Sequence, residues 1–519
     1  SKKQKTTNPE TSPKVTPKPR DCDNSGGSPP SSPPPSASVS PIPVETVSPV
    51  ETETDTDDDF RGADADIGTG SSPAAANTGR RNRTTYPDRN KDFSSATLSE
   101  ANLKLDLVYG DHIHENSGSH LHGGIGAAQD TLWQSYHKTL IPYTQRLYNV
   151  PHGRVGKLFT REVAIIFEDV LSRKCNMERL MVFFPVILQK SEGVKGLPDQ
   201  RKRIRERLDD WKAGKFKALV EDTLRSLRAA QCKSRGDTTP EHRARVFDNK
   251  VKRGQLSSAV SYIADREGGS VYFPDDIDEK SGTSVANVLL SKHPAMQDPG
   301  VDTLEDFGPA PEFINISITN EIVEMVASHL SGSSGLSGFD SAALKDLLCA
   351  HGQDSHRLRI VFAKFTEWMS NDTPPWAAYR ALMACREMAL GKDGGGIRPI
   401  GIGDIFRRGM AKCVLKVAGP SATSECGADQ LCAGLKAGAE GGVHGVSAAW
   451  AEMDVDERNG FLVIDAENAF NSMSRITMLW NVRHLWPAGA RFAFNCYCFQ
   501  SLLLCRSASG DALQMWSKE

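Results

Sequence analysis

The chain lacks any apolar run long enough to cross a bilayer. Its longest, around Leu180 to Leu188, is less than half of the ~20 residues that a membrane helix requires. No membrane partner is therefore expected. It also lacks a Cys-x-x-Cys pair, and its eleven cysteines show no framework spacing, which argues against a disulfide scaffold. Thiols such as Cys496, Cys498 and Cys505 sit in apolar text and read as reduced core cysteines of a nuclear or cytoplasmic protein. No signal-peptide pattern opens the chain, and no internal repeat runs through it. Neither sign of charge dominates, since 62 Lys+Arg face 65 Asp+Glu. That balance averages unlike segments and says little about partners. Ser1 is not an initiator Met, so the sequence reads as a fragment or a truncated reading frame.

Large apolar residues are scarce at the start. The first fifty residues hold twelve prolines and many serines, and such text cannot bury enough surface to offset the entropy of ordering. The hydrophobic share of 39% agrees with a chain folded only in part. A Pro/Ser-rich disordered tail is therefore expected over 1–125. Its basic start (Lys2, Lys3, Lys5) and the acidic run Asp55 to Asp59 read as a solvated linker or an interaction tail. The pairs His112/His114 and His120/His122 could hold a divalent metal, but the glycines around them favour a flexible loop.

A helical, basic extension and linker is expected over 126–305. Val163, Ile166, Phe167, Val170 and Leu171 recur at the spacing of one helix face. Asn176 and Glu178 mark a helix start before the Leu180–Leu188 run, which Pro185 should end or kink. Residues 201–253 carry 17 Lys+Arg against 8 Asp+Glu. Arg201, Lys202, Arg203, Arg205 and Arg207 could form a ridge that attracts a phosphate backbone. The same text fits a solvated helix with internal pairs to Glu206 and Asp209. Residues 268–315 read as a linker rich in Gly, Asp and Pro. Beyond it, helices are expected at Thr319–Leu330, Asp340–Leu348, Leu358–Trp368 and Ala377–Leu390.

Two segments carry chemistry. In GKDGGGIRPIGIGDIFRR (391–408), Gly391 and Gly394–Gly396 predict a hairpin turn. Lys392 at its tip and Arg398 on the returning strand could offset the charge of a triphosphate, or stand as incidental surface charges. In FLVIDAENAFN (461–471), Phe461–Ile464 predict a buried strand with Asp465 at its end. A carboxylate placed there either ligates a hard cation or caps the following helix.

In this order and spacing, Arg-Pro-Ile, then Asp429-Gln430 with its glycine run to His444, then Asp-Ala-Glu-Asn-Ala-Phe resemble the reverse transcriptase domain of retrotransposons. The resemblance covers about 315–519. It implies an α+β right-hand polymerase fold, with fingers and a partial palm over 306–519. It implies RNA-directed DNA synthesis from an RNA template and a DNA primer, with deoxynucleoside triphosphates and two Mg²⁺ ions. Asp465 would be the first catalytic carboxylate and metal ligand. Phe470 would crowd the sugar 2′ position, which argues against a ribonucleotide polymerase, and the backbone at Ala466 would lie against the nucleotide. Arg398 and Lys392 would contact the triphosphate, and Gln430 the template. The Gln-Gly-Asp-Pro loop and paired aspartates of the family are absent from the text, and Asp511 stands alone. The expectation is thus a fragment inactive by itself, with exposed strand edges. Its alternatives are a nucleic-acid-binding protein or a non-functional remnant of an element.

Overall fold

The structure is a computed structural model that describes residues 100–110, 127–191, 193–194, 196–232, 244–245, 247–248, 251–252, 271–295, 299–392, 395–427, 430–431, 436–453, 460, 462–507 and 512–517. The histidine pairs at 112–122 and the text before residue 100 lie outside the described residues. Among those described, the fold is mixed α+β: mostly helical, with one small mixed sheet.

The helices that build the core are α1 (Glu100–Tyr109), α2 (Ala127–Leu140), α3 (Arg154–Leu171), α4 (Glu178–Leu188), α5 (Leu197–Lys212) and α6 (Phe216–Cys232). The predicted face of α3 is real: Val163, Ile166, Phe167 and Val170 are fully buried, while Leu171 is half-buried. Each such side chain contributes about 1.5–3 kcal/mol of transfer free energy. Helix α4 is buried on nearly all sides, as its unbroken apolar text requires. Pro185 does not stop it at once, since the helix runs to Leu188 and closes with the Gln189 N–H donating to the Pro185 carbonyl.

Residues 100–109, read as part of the tail, instead form α1. Ala101, Leu105 and Tyr109, spaced by four, present one buried stripe, too short for the composition around it to reveal. Tyr109 stacks on Phe494 at 4.3 Å and donates its hydroxyl to the Leu479 carbonyl at 2.9 Å.

The stretch read as a linker is also structured. Strand β1 (Val271–Tyr272) and α7 (Val285–Ser291) precede α8 (Asn320–His329), α9 (Ser341–Cys349), α10 (Gln353–Asn371) and α11 (Trp376–Met383). Thr319 and Asp340 cap α8 and α9 by accepting from Ile322 N and Ala343 N. The helix expected over Ala377–Leu390 breaks at Met383, and β2 (Cys385–Gly391) follows. Arg386, Glu387 and Met388 are good helix formers, but pairing on both edges of β2 overrides that preference.

β2 pairs antiparallel with β3 (Ile397–Gly403) along its full length. Its other edge is shared by β1, near Leu390, and by β4 (Ser501–Arg506), which runs parallel at Cys385–Glu387. β4 pairs antiparallel with β5 (Ala512–Ser517). After β3 come α12 (Ile405–Cys426), α13 (Gly438–Glu452), the short turn α14 (Ala469–Ser472), α15 (Arg475–Leu485) and α16 (Ala490–Tyr497).

The extension and the C-terminal part share one hydrophobic core. Phe406 of α12 lies 5.8 Å from Phe167 of α3 and stacks on Phe184 of α4 at 5.5 Å. Among the described residues, packing thus runs across the expected boundary near residue 305.

His137 sits near the end of α2. Although its overall surface is only half-buried, desolvation of the ring, with the Arg380 and Arg506 guanidiniums beside it, pushes its pKa down to about 4. The folded value lies below the ordinary one near 6.5, so the neutral ring's stability is complete above pH ~6.5 and is lost as pH falls towards 4. After discounting for solvent at the half-buried ring, the loss should be about 1–3 kcal/mol. Urea unfolding at pH 7 and pH 4 should show this loss, and His137→Leu should flatten it.

Candidate functional site

The predicted glycine hairpin is present. Gly395 and Gly396 have φ of 90° and 92°, a backbone that only glycine adopts without strain. Lys392 N donates to Gly396 O, and Gly395 N to Lys392 O, both at 3.0 Å. Lys392 and Arg398 are exposed. Arg398 stands opposite Leu390, and Arg386 opposite Ile402, so both arginines occupy one sheet face. Glu387 occupies the other face, buried under α7, whose Val285 and Leu289 share a small core with Cys385, Ala389 and Ile397. Asp404, directly after the hairpin, caps α12 by accepting from Phe406 N at 3.2 Å, and also accepts from Ser337 N at 3.2 Å. Burial pushes its carboxyl up, and these hydrogen bonds pull it back.

The 461–471 segment departs from expectation. Phe461 lies outside the described residues, and Leu462, Val463 and Ile464 form no strand and are 85%, 89% and 81% exposed. Among the described residues, Leu462–Ile464 pair with no strand of the sheet, although β3 and β5 each pair on one edge only. Asp465 is thus an exposed carboxylate on an irregular segment, not the end of a core strand. Ala466 is exposed as well, and Phe470, on α14, is 93% exposed.

Asn468 joins this segment to the hairpin, a role its sequence did not announce. Its φ of 53° is left-handed, a conformation Asn tolerates better than most residues. Its side-chain amide donates to the Lys292 carbonyl at 2.8 Å. The next residue, His293, places Nε2 3.5 Å from Glu387 Oε1 on β2. The two motifs therefore meet through residues 292–293, while Arg398 points from the opposite face of the sheet. Glu387 was hidden by reading its segment as a helix.

As a metal ligand Asp465 has the right chemistry, a hard oxygen donor. Yet no three His, Cys, Asp or Glu side chains come together to hold an ion among the described residues. They do not by themselves form a magnesium site. Gln430 is exposed, and its neighbour Asp429 lies outside the described residues.

The basic ridge divides. Arg203 pairs with Asp222 at 2.7 Å, and Arg205 with Asp209 at 2.9 Å. Arg207 is buried, so it is not part of a charged surface. Arg201 and Lys202 remain exposed, with no ion pair among the described residues. The reading of a solvated helix with internal pairs thus accounts for most of α5. No helix among the described residues is long and apolar enough to cross a membrane. Comparison with protein-family models, curated proteins and solved structures finds no match.

Proposed function

We propose that this chain carries the fingers and first palm segment of a retrotransposon RNA-directed DNA polymerase. One observation supports the reading beyond motif order: the Asp-Ala-Glu-Asn-Ala-Phe segment bonds through Asn468 to Lys292, whose neighbour His293 approaches Glu387 on the first strand of the hairpin. Fingers and palm must close on one nucleotide, so these two motifs should be neighbours. In this reading Arg398 and Lys392 offset triphosphate charge, Gln430 approaches the RNA template, and Asp465 is a ligand for Mg²⁺. Arg201, Lys202, Arg203 and Arg205 would add backbone affinity, chiefly through the first two.

Phe470 gives the test. An exposed ring two residues after Asn468 is free to crowd the 2′ position of an incoming sugar. Binding of dGTP and GTP is compared with an RNA template, a DNA primer and Mg²⁺ present. The wild type should prefer dGTP, and Phe470→Ala should erase about 10- to 100-fold of that preference, the scale of one steric contact. An unchanged preference in the variant, or none in the wild type, would remove the basis of the reading. Being exposed, Phe470→Ala should leave stability within ~0.5 kcal/mol.

A further inference from the structure

We infer that Asn468 is a positioning residue that fixes the 465–470 segment against the base of the hairpin through its side-chain amide. For its nucleotide-binding consequence, this inference rests on the proposed function.

Residues 462–467, 469 and 470 are all exposed, and Asn468 between them is half-buried. Exposed backbone has little to hold it, so one anchored residue sets where its neighbours lie. Four bonds converge on Asn468. Its Nδ2 donates to Lys292 O at 2.8 Å and to Ser472 Oγ at 3.4 Å, its Oδ1 accepts from Asn471 Nδ2 at 3.2 Å, and its carbonyl accepts from Asn471 N at 3.0 Å.

The anchor point is itself fixed. Lys292 is the C-cap of α7, where helix carbonyls lack intrahelical donors and so need one from elsewhere. α7 is set in place by the buried Val285 and Leu289. His293 follows, and its Nε2 lies 3.5 Å from Oε1 of the buried Glu387 on β2. The chain of contacts runs from strand to helix end to Asn468. Asp465 lies three residues before that pivot and Phe470 two after it.

The side chain must do two things at once. It must allow a left-handed backbone, and it must donate to a carbonyl. Glycine meets only the first requirement. Aspartate tolerates the backbone but presents an acceptor to an acceptor. These two variants therefore separate the amide bond from the turn.

Hydrogen exchange is measured on the full chain for wild type, Asn468→Gly and Asn468→Asp. In both variants the amides of 469–473 should exchange about tenfold faster, the scale of one lost hydrogen bond, and those of 290–294 should also speed up. Melting temperature should stay unchanged. Binding of dGTP with template, primer and Mg²⁺ should weaken about tenfold in both, through misplacement of the segment. If Asn468→Gly exchanges like wild type, the turn and not the amide holds the segment, and the inference fails. If exchange quickens but dGTP affinity holds, the tether stands and its positioning role fails. If the wild type binds no dGTP, the polymerase reading fails, and exchange alone still decides the tether.

Discussion

Arg207→Met should destabilise the protein by about 3 kcal/mol, within a range of roughly 2–5, although the text around Arg207 reads as a charged surface. Its side chain is 2% exposed. Nη1 donates to the carbonyls of Ile187 and Gln189 at 3.3 and 2.7 Å, where α4 ends. Nη2 donates to Ser191 Oγ at 2.9 Å and to Asp222 at 3.0 Å. Burial, with Arg203 nearby, lowers its pKa, and Asp222 opposes the shift. Methionine fills similar volume but orphans buried carbonyls, and each orphan costs about 1–3 kcal/mol. Asp222 keeps Arg203, which moderates the loss. Arg201→Ala and Lys202→Ala provide the contrast. They should change stability by less than ~0.5 kcal/mol, but should lower affinity for nucleic acid and its salt dependence. Urea titration of the three variants checks this, and an Arg207→Met protein as stable as wild type would refute the buried-cap account.

In a complete polymerase that carries this segment, Asp465→Ala should abolish nucleotide addition, by at least about 10³-fold or roughly 4 kcal/mol of barrier, while leaving fold and nucleic-acid binding intact. The structural half of that expectation is secure in physical terms. Asp465 is exposed and makes no ion pair among the described residues, so its loss removes no packing. The chemical half follows from the motif order. Under the proposed function, Asp465 acts on the nucleotide; its exposure leaves it no packing role. A nucleic-acid-binding protein derived from an element would keep Arg201 and Lys202 in use and would be indifferent to this substitution.

Several elements were legible from local rules. The α3 stripe follows from spacing, the caps of α8 and α9 from Thr319 and Asp340, and the β2–β3 turn from Gly395 and Gly396. What was not legible depended on partners. Arg386 to Met388 favour helix locally, but β3 and β4 make them a strand. Leu462–Ile464 have strand composition, yet they pair with no strand among the described residues. Arg207 and Arg205 are alike in text. One lies on the inner face of α5 against the end of α4, and the other lies outside it paired with Asp209. Of the candidate site, Lys392, Arg398, Asp465 and Phe470 could be named beforehand. The residues that join them, Lys292 with His293, Glu387 and Asn468, come from three separate segments, and only the fold brings them together.

The central claim is tested most directly by primer extension on an RNA template, using the protein as its full reading frame encodes it. Wild type and Asp465→Ala are compared with Mg²⁺ and the four deoxynucleoside triphosphates. The account predicts extension by the wild type, none by Asp465→Ala, and equal template–primer binding by both. Extension that survives Asp465→Ala, or its absence from the wild type despite tight binding, would contradict it.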